Sequence, residues 1–253
     1  MGNYSDGIIN WIKEYFSFSS DAKAIVGVSG GTDSSVTAAL LVKALGTSRV
    51  IGVLMPCGKQ HDIDVSHRLV DHLSIKYHEI NIESAMKSLT SVIADATSEN
   101  PLDFDVYRTN TPARLRMATL YGICALYRGR VANTCNLSED FIGYSTKFGD
   151  AAGDFSLLAG FTKTEVRIIG KELGLPDIFV EKTPEDGMSG QSDEERMGFT
   201  YAVLDRYIRT GEIDDPAVKE SIDRKHAANL HKLLPMPAYD PGLSAIEAHP
   251  FLS

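Results

Sequence analysis

Cysteine is scarce in this 253-residue chain: Cys57, Cys124 and Cys135 are an odd number and form no C-x-x-C pair. That excludes a disulfide framework, gives no support to a zinc ribbon, and leads us to expect a reducing, cytoplasmic setting. Basic residues are also in deficit, 25 Lys and Arg against 34 Asp and Glu, a formal charge of −9. Such a balance argues against a polyanionic partner, and no nucleic-acid partner is expected. Long apolar runs are missing too: nothing approaches the roughly 18 residues that suggest a membrane span, so no membrane partner is expected. The start, MGNYSDGIINWIKEYF, lacks the basic head and unbroken apolar centre of a secretory signal; Trp11, Ile12, Tyr15 and Phe16 instead recur at helical spacing. No repeat, low-complexity tract or linker divides the chain, and a single domain over residues 1–253 is expected.

What is present is an average globular composition, 43% hydrophobic and 23% charged, ordered as strands alternating with helices. Ala24 to Val28 is short, apolar and β-branched, as in a strand buried on both faces, and Ser34 to Ala44 has helical periodicity. Arg49 to Met55 reads as a second strand, Asp62 to Leu73 as a helix, Lys76 to Ile80 as a third strand and Ile82 to Ala94 as a helix. In NTPARLRMATLYGICALYRGR, Thr111 is placed to cap a helix with Pro112 at its first position and Gly129 after its end. Arg130 to Thr134 reads as a fourth strand, Thr162 to Leu173 as a helix capped by Thr162, and Asp193 to Tyr207 as another. This pattern predicts a single-domain α/β fold, a Rossmann-like doubly wound parallel sheet.

Between the first strand and its helix lies Gly27-Val28-Ser29-Gly30-Gly31-Thr32-Asp33-Ser34. Neither G-x-x-x-x-G-K-[ST] nor G-x-G-x-x-G fits it, and it contains no lysine. A strand–loop–helix junction of this kind is where α/β sheets collect ligands, because backbone N–H groups and the helix dipole point there. If the loop holds phosphate, Asp33 needs a cation beside it, which makes it a candidate Mg²⁺ ligand. The plainer alternative is a glycine-rich turn with Asp33 or Ser34 as N-cap.

Ser29 to Ser34 resembles the S-G-G-x-D-S pyrophosphate loop of the N-type ATP pyrophosphatases, enzymes of adenine nucleotide alpha hydrolase-like fold that activate an oxygen by adenylation. Further segments resemble the NAD synthetases of that group in the right order: Asn110 to Met117, Asn133-Thr134-Cys135-Asn136-Leu137-Ser138-Glu139, Gly143 to Asp154, Gln191 to Gly198, and His231-Lys232. The resemblance covers roughly residues 1 to 240.

It implies ammonia-dependent amidation of deamido-NAD to NAD, with ATP cleaved to AMP and pyrophosphate through an acyl-adenylate. Asp33 and Glu139 would share Mg²⁺; Lys163 and Thr134 would contact ATP together with the loop and Glu185. Arg114, Lys147, Asp154, His231 and Lys232 would line the deamido-NAD site, with Asp33, Glu139, Lys163 and Asp154 as the catalytic set. Each has a plainer reading: Glu139 in a solvated helix turn, Lys163 and His231-Lys232 on the surface. Two positions depart from the pattern, Asn133 where glycine is usual and Glu185 where a serine or threonine contacts ATP. No separate glutaminase domain is expected, so free ammonia is the nitrogen donor. A tRNA-modifying pyrophosphatase and a nucleotide-binding sensor without turnover remain alternatives. The segment Met117 to Tyr127 is apolar over more than one stripe, which with the resemblance predicts a homodimer.

Overall fold

Strands without polar alternation need cover on both sides, and the structure supplies it. The computed structural model describes residues 4–60, 63–181, 192–240 and 242. Helix α1 (Tyr4–Tyr15) leads into strand β1 (Ala24–Gly27), then α2 (Thr32–Leu45), β2 (Val50–Leu54), α3 (Ile63–Leu73), β3 (Lys76–Glu79), α4 (Glu83–Thr97), α5 (Asp105–Tyr127) and β4 (Arg130–Asn133). There follow α6 (Leu137–Ile142), β5 (Phe155–Ser156), α7 (Lys163–Glu172), α8 (Asp177–Val180), α9 (Asp193–Met197), α10 (Tyr201–Thr210) and α11 (Pro216–Asn229). The sheet order is β3-β2-β1-β4-β5, and every pairing is parallel. All five residues of β2 are buried, as expected of a strand covered on both faces.

One face of the sheet packs a core containing Ile12, Phe16, Leu40, Leu69 and Ile169, drawn from α1, α2, α3 and α7 and the turn after α1. The other packs Ile25, Ile51 and Val53 against Met117, Leu120 and Cys124 of α5. A third cluster, with Ile142, Met197, Leu204 and Ile222, joins α6, α9, α10 and α11. The sheet is therefore doubly wound, as expected. The chain lays down β1, β2 and β3 in one direction and returns to place β4 and β5 on the other side of β1. That reversal makes the carboxyl ends of β1 and β4 the topological switch point, the crevice where such sheets bind ligands.

Several boundaries differ from expectation. Helix α5 starts at Asp105, and Pro112 lies inside it; Thr111 is not its cap. Pro112 forfeits one backbone hydrogen bond, but Thr111 and Pro112 are both buried, so packing carries the helix through. The helix expected over Asp193 to Tyr207 breaks at Gly198, which adopts φ 83°. Thr200 then accepts a hydrogen bond from Val203 N–H to restart it. Strand β5 is too short for a pattern to reveal. Helix α11 escaped the reading altogether, although Asp215 caps it by accepting from Ala217 and Val218 N–H, with Pro216 next.

Candidate active site

The loop after β1 is built by glycine geometry. Gly30 has φ +76°, and a Cβ there would meet Ser66 Oγ at 3.0 Å, so both the turn and the close approach of α3 call for glycine. The N-cap of α2 is Gly31, with no side-chain capping bond. Asp33 and Ser34 are thus not caps. Ser34 Oγ lies 3.1 Å from Ser29 Oγ and donates to Gly31 O at 3.1 Å, closing the loop, while Thr32 Oγ1 donates to Val180 O.

Free of capping duty, the Asp33 carboxylate meets Lys163. Lys163 Nζ donates to Asp33 Oδ2 at 2.5 Å and to Glu139 Oε1 at 3.1 Å. The lysine side chain is 3% exposed, so the surface reading does not hold for it. Its ammonium is pinned above its ordinary range: burial works against the charge, but Asp33 and Glu139 outweigh it. Glu139 is pushed up to about 8, first by burial and then by Asp33, against the attraction of Lys163. Tyr201 lies alongside, its ring centroid 5.3 Å from Lys163 Nζ. Asp33 follows β1, Glu139 follows β4, and Lys163 opens α7, so the three converge at the switch point.

Local sequence fixes these placements. Asn136 caps α6 by accepting from Glu139 N–H, and its Nδ2 donates to Asp33 Oδ1 at 2.9 Å. Thr162 and Glu165 form a capping box at α7, which aims Lys163 from the first helical position. Asn133, the departure from glycine, ties β4 to its neighbours: Nδ2 donates to Asp150 O and Ala152 O, and Oδ1 accepts from Ser156 Oγ. Thr134 follows it directly, half-buried at the end of the strand.

The remaining expected residues fall into separate groups. Arg114 Nε donates to Lys147 O at 3.3 Å, and Lys147 Nζ to His231 O at 2.6 Å. Lys232 Nζ donates to Gly143 O and Ser145 O at 2.6 and 2.9 Å. These four gather around the 143–149 segment. Asp154 stands apart from both them and the carboxylate cluster: Oδ2 accepts from Val131 N–H at 2.7 Å and Oδ1 from Tyr121 Oη at 3.3 Å. It lines a cavity of about 370 Å³ with Tyr121, Cys124, Arg128 and Arg130, and Tyr121 is pushed up to about 12, by burial first and Asp154 second. Glu185 lies outside the described residues, as does Gln191. The sequence reading missed Asn136, whose spacing to Glu139 is a readable capping signal, and Tyr201 and Asp205, for which no local signal exists.

The site thus joins a glycine-built strand-to-helix loop to two carboxylates on one buried lysine at a switch point. The family model described as NAD synthase matches residues 4–240. The chain belongs to that NAD synthase family. It is 37% identical over 230 residues to the NH3-dependent NAD(+) synthetase of Carboxydothermus hydrogenoformans, covering 90% of this chain and 93% of that one. Among solved structures, NMN synthetase from Francisella tularensis superposes with TM-score 0.84 at 31% identity, over 95% of this chain and 98% of that one. NAD+ synthetase from Burkholderia pseudomallei gives TM-score 0.74 at 27% identity, over 92% and 90%. These neighbours share the adenine nucleotide alpha hydrolase-like fold, and the NAD synthase family is ATP-using. The tRNA-modifying alternative is not favoured by these matches.

Proposed function

We propose that this chain is an ammonia-dependent NAD synthetase that adenylates the nicotinate carboxylate of deamido-NAD with ATP and lets ammonia displace AMP. The observation that carries this reading is the Asp33–Lys163–Glu139 cluster directly beyond the glycine loop, at the switch between β1 and β4. Two carboxylates within reach of one cation fit Mg²⁺, which prefers carboxylate and phosphate oxygens together. Among the described residues no group of three or more His, Cys, Asp or Glu side chains is placed to hold a metal, and Asp33 and Glu139 are the residues that would hold Mg²⁺ together with phosphate oxygens of ATP. Bound there, Mg²⁺ would offset phosphate charge and stabilise departing pyrophosphate.

The chain's own residues do the rest. The start of α2 turns its helix dipole toward the phosphates, Lys163 is held charged beside them, and Thr134 offers a hydroxyl at the end of β4. Arg114, Lys147 and Lys232 supply cations for the dinucleotide's pyrophosphate and carboxylate, with His231 beside them. Their present partners are mostly backbone carbonyls, which an anionic ligand replaces. Asp154 serves the same substrate from its separate cavity rather than acting on the bond being made. Positioning and charge neutralisation account for catalysis, since the adenylate is itself the activated species.

The working form is a homodimer in the cytoplasm. Met117, Leu120 and Cys124 bury one face of α5, while Tyr121 and Leu126 remain 39% and 78% exposed, alongside exposed Ala118, Gly122 and Ala125. A symmetry mate covers such a second apolar face in an isologous contact. Among the described residues no helix is long and apolar enough to cross a membrane.

Incubation with deamido-NAD, Mg·ATP and ammonium, followed by chromatography, tests the reading: NAD and AMP form together, and glutamine does not replace ammonium. The higher TM-score to an NMN synthetase favours one second reading, amidation of the corresponding mononucleotide by the same chemistry. Offering both substrates separately decides between them.

A further inference from the structure

One stripe of α10 holds the start of α7 residue by residue. Tyr201, Asp205 and Arg209 recur at helical spacing and share a face. Tyr201 sets its ring against Lys163 Nζ, 5.3 Å away. Asp205 Oδ2 accepts from Thr164 N–H at 2.8 Å. Arg209 grips Glu165 with two N–H groups, at 2.8 and 2.5 Å. Lys163, Thr164 and Glu165 each answer to one residue of α10.

Asp205 reaches further than its neighbours. Its second oxygen, Oδ1, accepts from Ser138 Oγ at 2.5 Å, and that same Oγ accepts the backbone N–H of Lys163 at 3.0 Å. Ser138 immediately precedes Glu139 on α6. Asp205 is 6% exposed and Ser138 fully buried, so the carboxylate lies where a charge persists only when its oxygens are paired. Thr162 takes only the third N–H of α7, that of Glu165; Ser138 and Asp205 accept the first two, those of Lys163 and Thr164, so the end of α7 is satisfied from α6 and α10 rather than from its own cap. What Asp205 adds is a rigid link between the two helices that carry Glu139 and Lys163.

We propose that Asp205 is a positioning residue for the adenylation centre, fixing Glu139 and Lys163 relative to each other through Ser138 and Thr164 without touching substrate. The proposal rests on the adenylating reading of the site. A displacement of about an ångström between these helices is enough to spoil a preorganised charge cluster, while leaving the dinucleotide-facing cations around residues 143–149 in place.

Asp205→Asn is the decisive variant, since the amide keeps the shape and an acceptor for Thr164 N–H but turns an N–H toward Ser138 Oγ. We expect kcat to fall at least about tenfold, with the dissociation constant for the dinucleotide within about twofold and the unfolding midpoint lowered by only a few degrees. Ser138→Ala, which leaves the Asp205–Thr164 bond intact, lowers kcat in the same selective way and decides the matter if Asp205→Asn does not fold. Arg206→Ala, next along α10 but paired with Glu212 and Asp214 at the surface, leaves kcat unchanged. Wild-type kcat in Asp205→Asn or Ser138→Ala overturns the proposal, and so does a loss of dinucleotide affinity equal to the loss of kcat, which marks general loosening. A wild-type protein that forms no amidated nucleotide overturns the reading of the reaction itself, a separate outcome visible before any variant is made.

Discussion

Asn136 donates its side-chain N–H to Asp33 Oδ1 at 2.9 Å, while its own oxygen accepts the backbone N–H of Glu139 at 3.0 Å. One buried amide therefore spans the crevice between the carboxyl ends of β1 and β4. It joins the two acids that would share a metal ion.

Substitutions at Asn136 separate its two duties. Asn136→Ala removes a helix cap and one partner of Asp33, and we expect it to cost about 1 kcal/mol of stability together with most turnover. Asn136→Asp keeps the capping oxygen but sets a third carboxyl group against Asp33, and the crowding of like charges raises its affinity for a proton. Stability measured by urea unfolding at mildly acidic pH, where the introduced carboxyl is protonated, should then fall less than in the alanine variant, while kcat still drops at least about tenfold. Turnover equal to wild type in both variants contradicts the coupling described here.

The two acids themselves are expected to be required for chemistry beyond the stability lost when a partner of buried Lys163 is removed. Asp33→Asn and Glu139→Gln each remove most turnover while circular dichroism stays that of the wild type, because each deletes an oxygen ligand for Mg²⁺ rather than core packing. Chelation of divalent ions should reproduce the loss in the wild type, reversibly. Full activity in either variant would sink the metal assignment.

The pH dependence follows from Glu139. Its folded value, about 8 against an ordinary 4.5, means the folded state keeps a proton that the unfolded state has released. The stability this proton contributes is complete below about pH 4.5 and is lost as pH rises through about 8. Asp140, pushed up to about 6 by burial and then by Asp150, acts with the same sign at lower pH. Metal-free protein should unfold more easily at pH 8 than at pH 5, a trend that Glu139→Gln flattens. Binding of Mg·ATP near pH 7 should release protons, which calorimetry in buffers of different ionisation enthalpy detects; heats independent of buffer would contradict it.

Assembly is testable at one position. Leu126 is 78% exposed on the outer face of α5, and Leu126→Glu places a charge in the proposed subunit contact, where burial without a partner is costly. Light scattering should give twice 27.6 kDa for the wild type and a shift toward a single chain for the variant. A wild-type mass near one chain at micromolar concentration, with full activity, would exclude the dimer as a requirement.

The sequence by itself determined the β-α alternation, because buried parallel strands must be short apolar runs and their helices carry a different period. It also determined the glycine loop, the Thr162 cap and the position of Asp33, Glu139 and Lys163 in the chain, since caps and tight turns depend on neighbouring residues. Only the tertiary structure decided that Pro112 lies within α5, because the burial of Thr111 and Pro112 in packing offsets a lost backbone bond. It alone separated Asp154 from the carboxylate cluster and placed it against Val131 and Tyr121. The grip of Asp205 on Ser138 and Thr164 was likewise invisible in sequence. Those contacts join residues 67 and 41 positions apart, and the packing of α6, α7 and α10 into one corner brings them together, which no local propensity encodes.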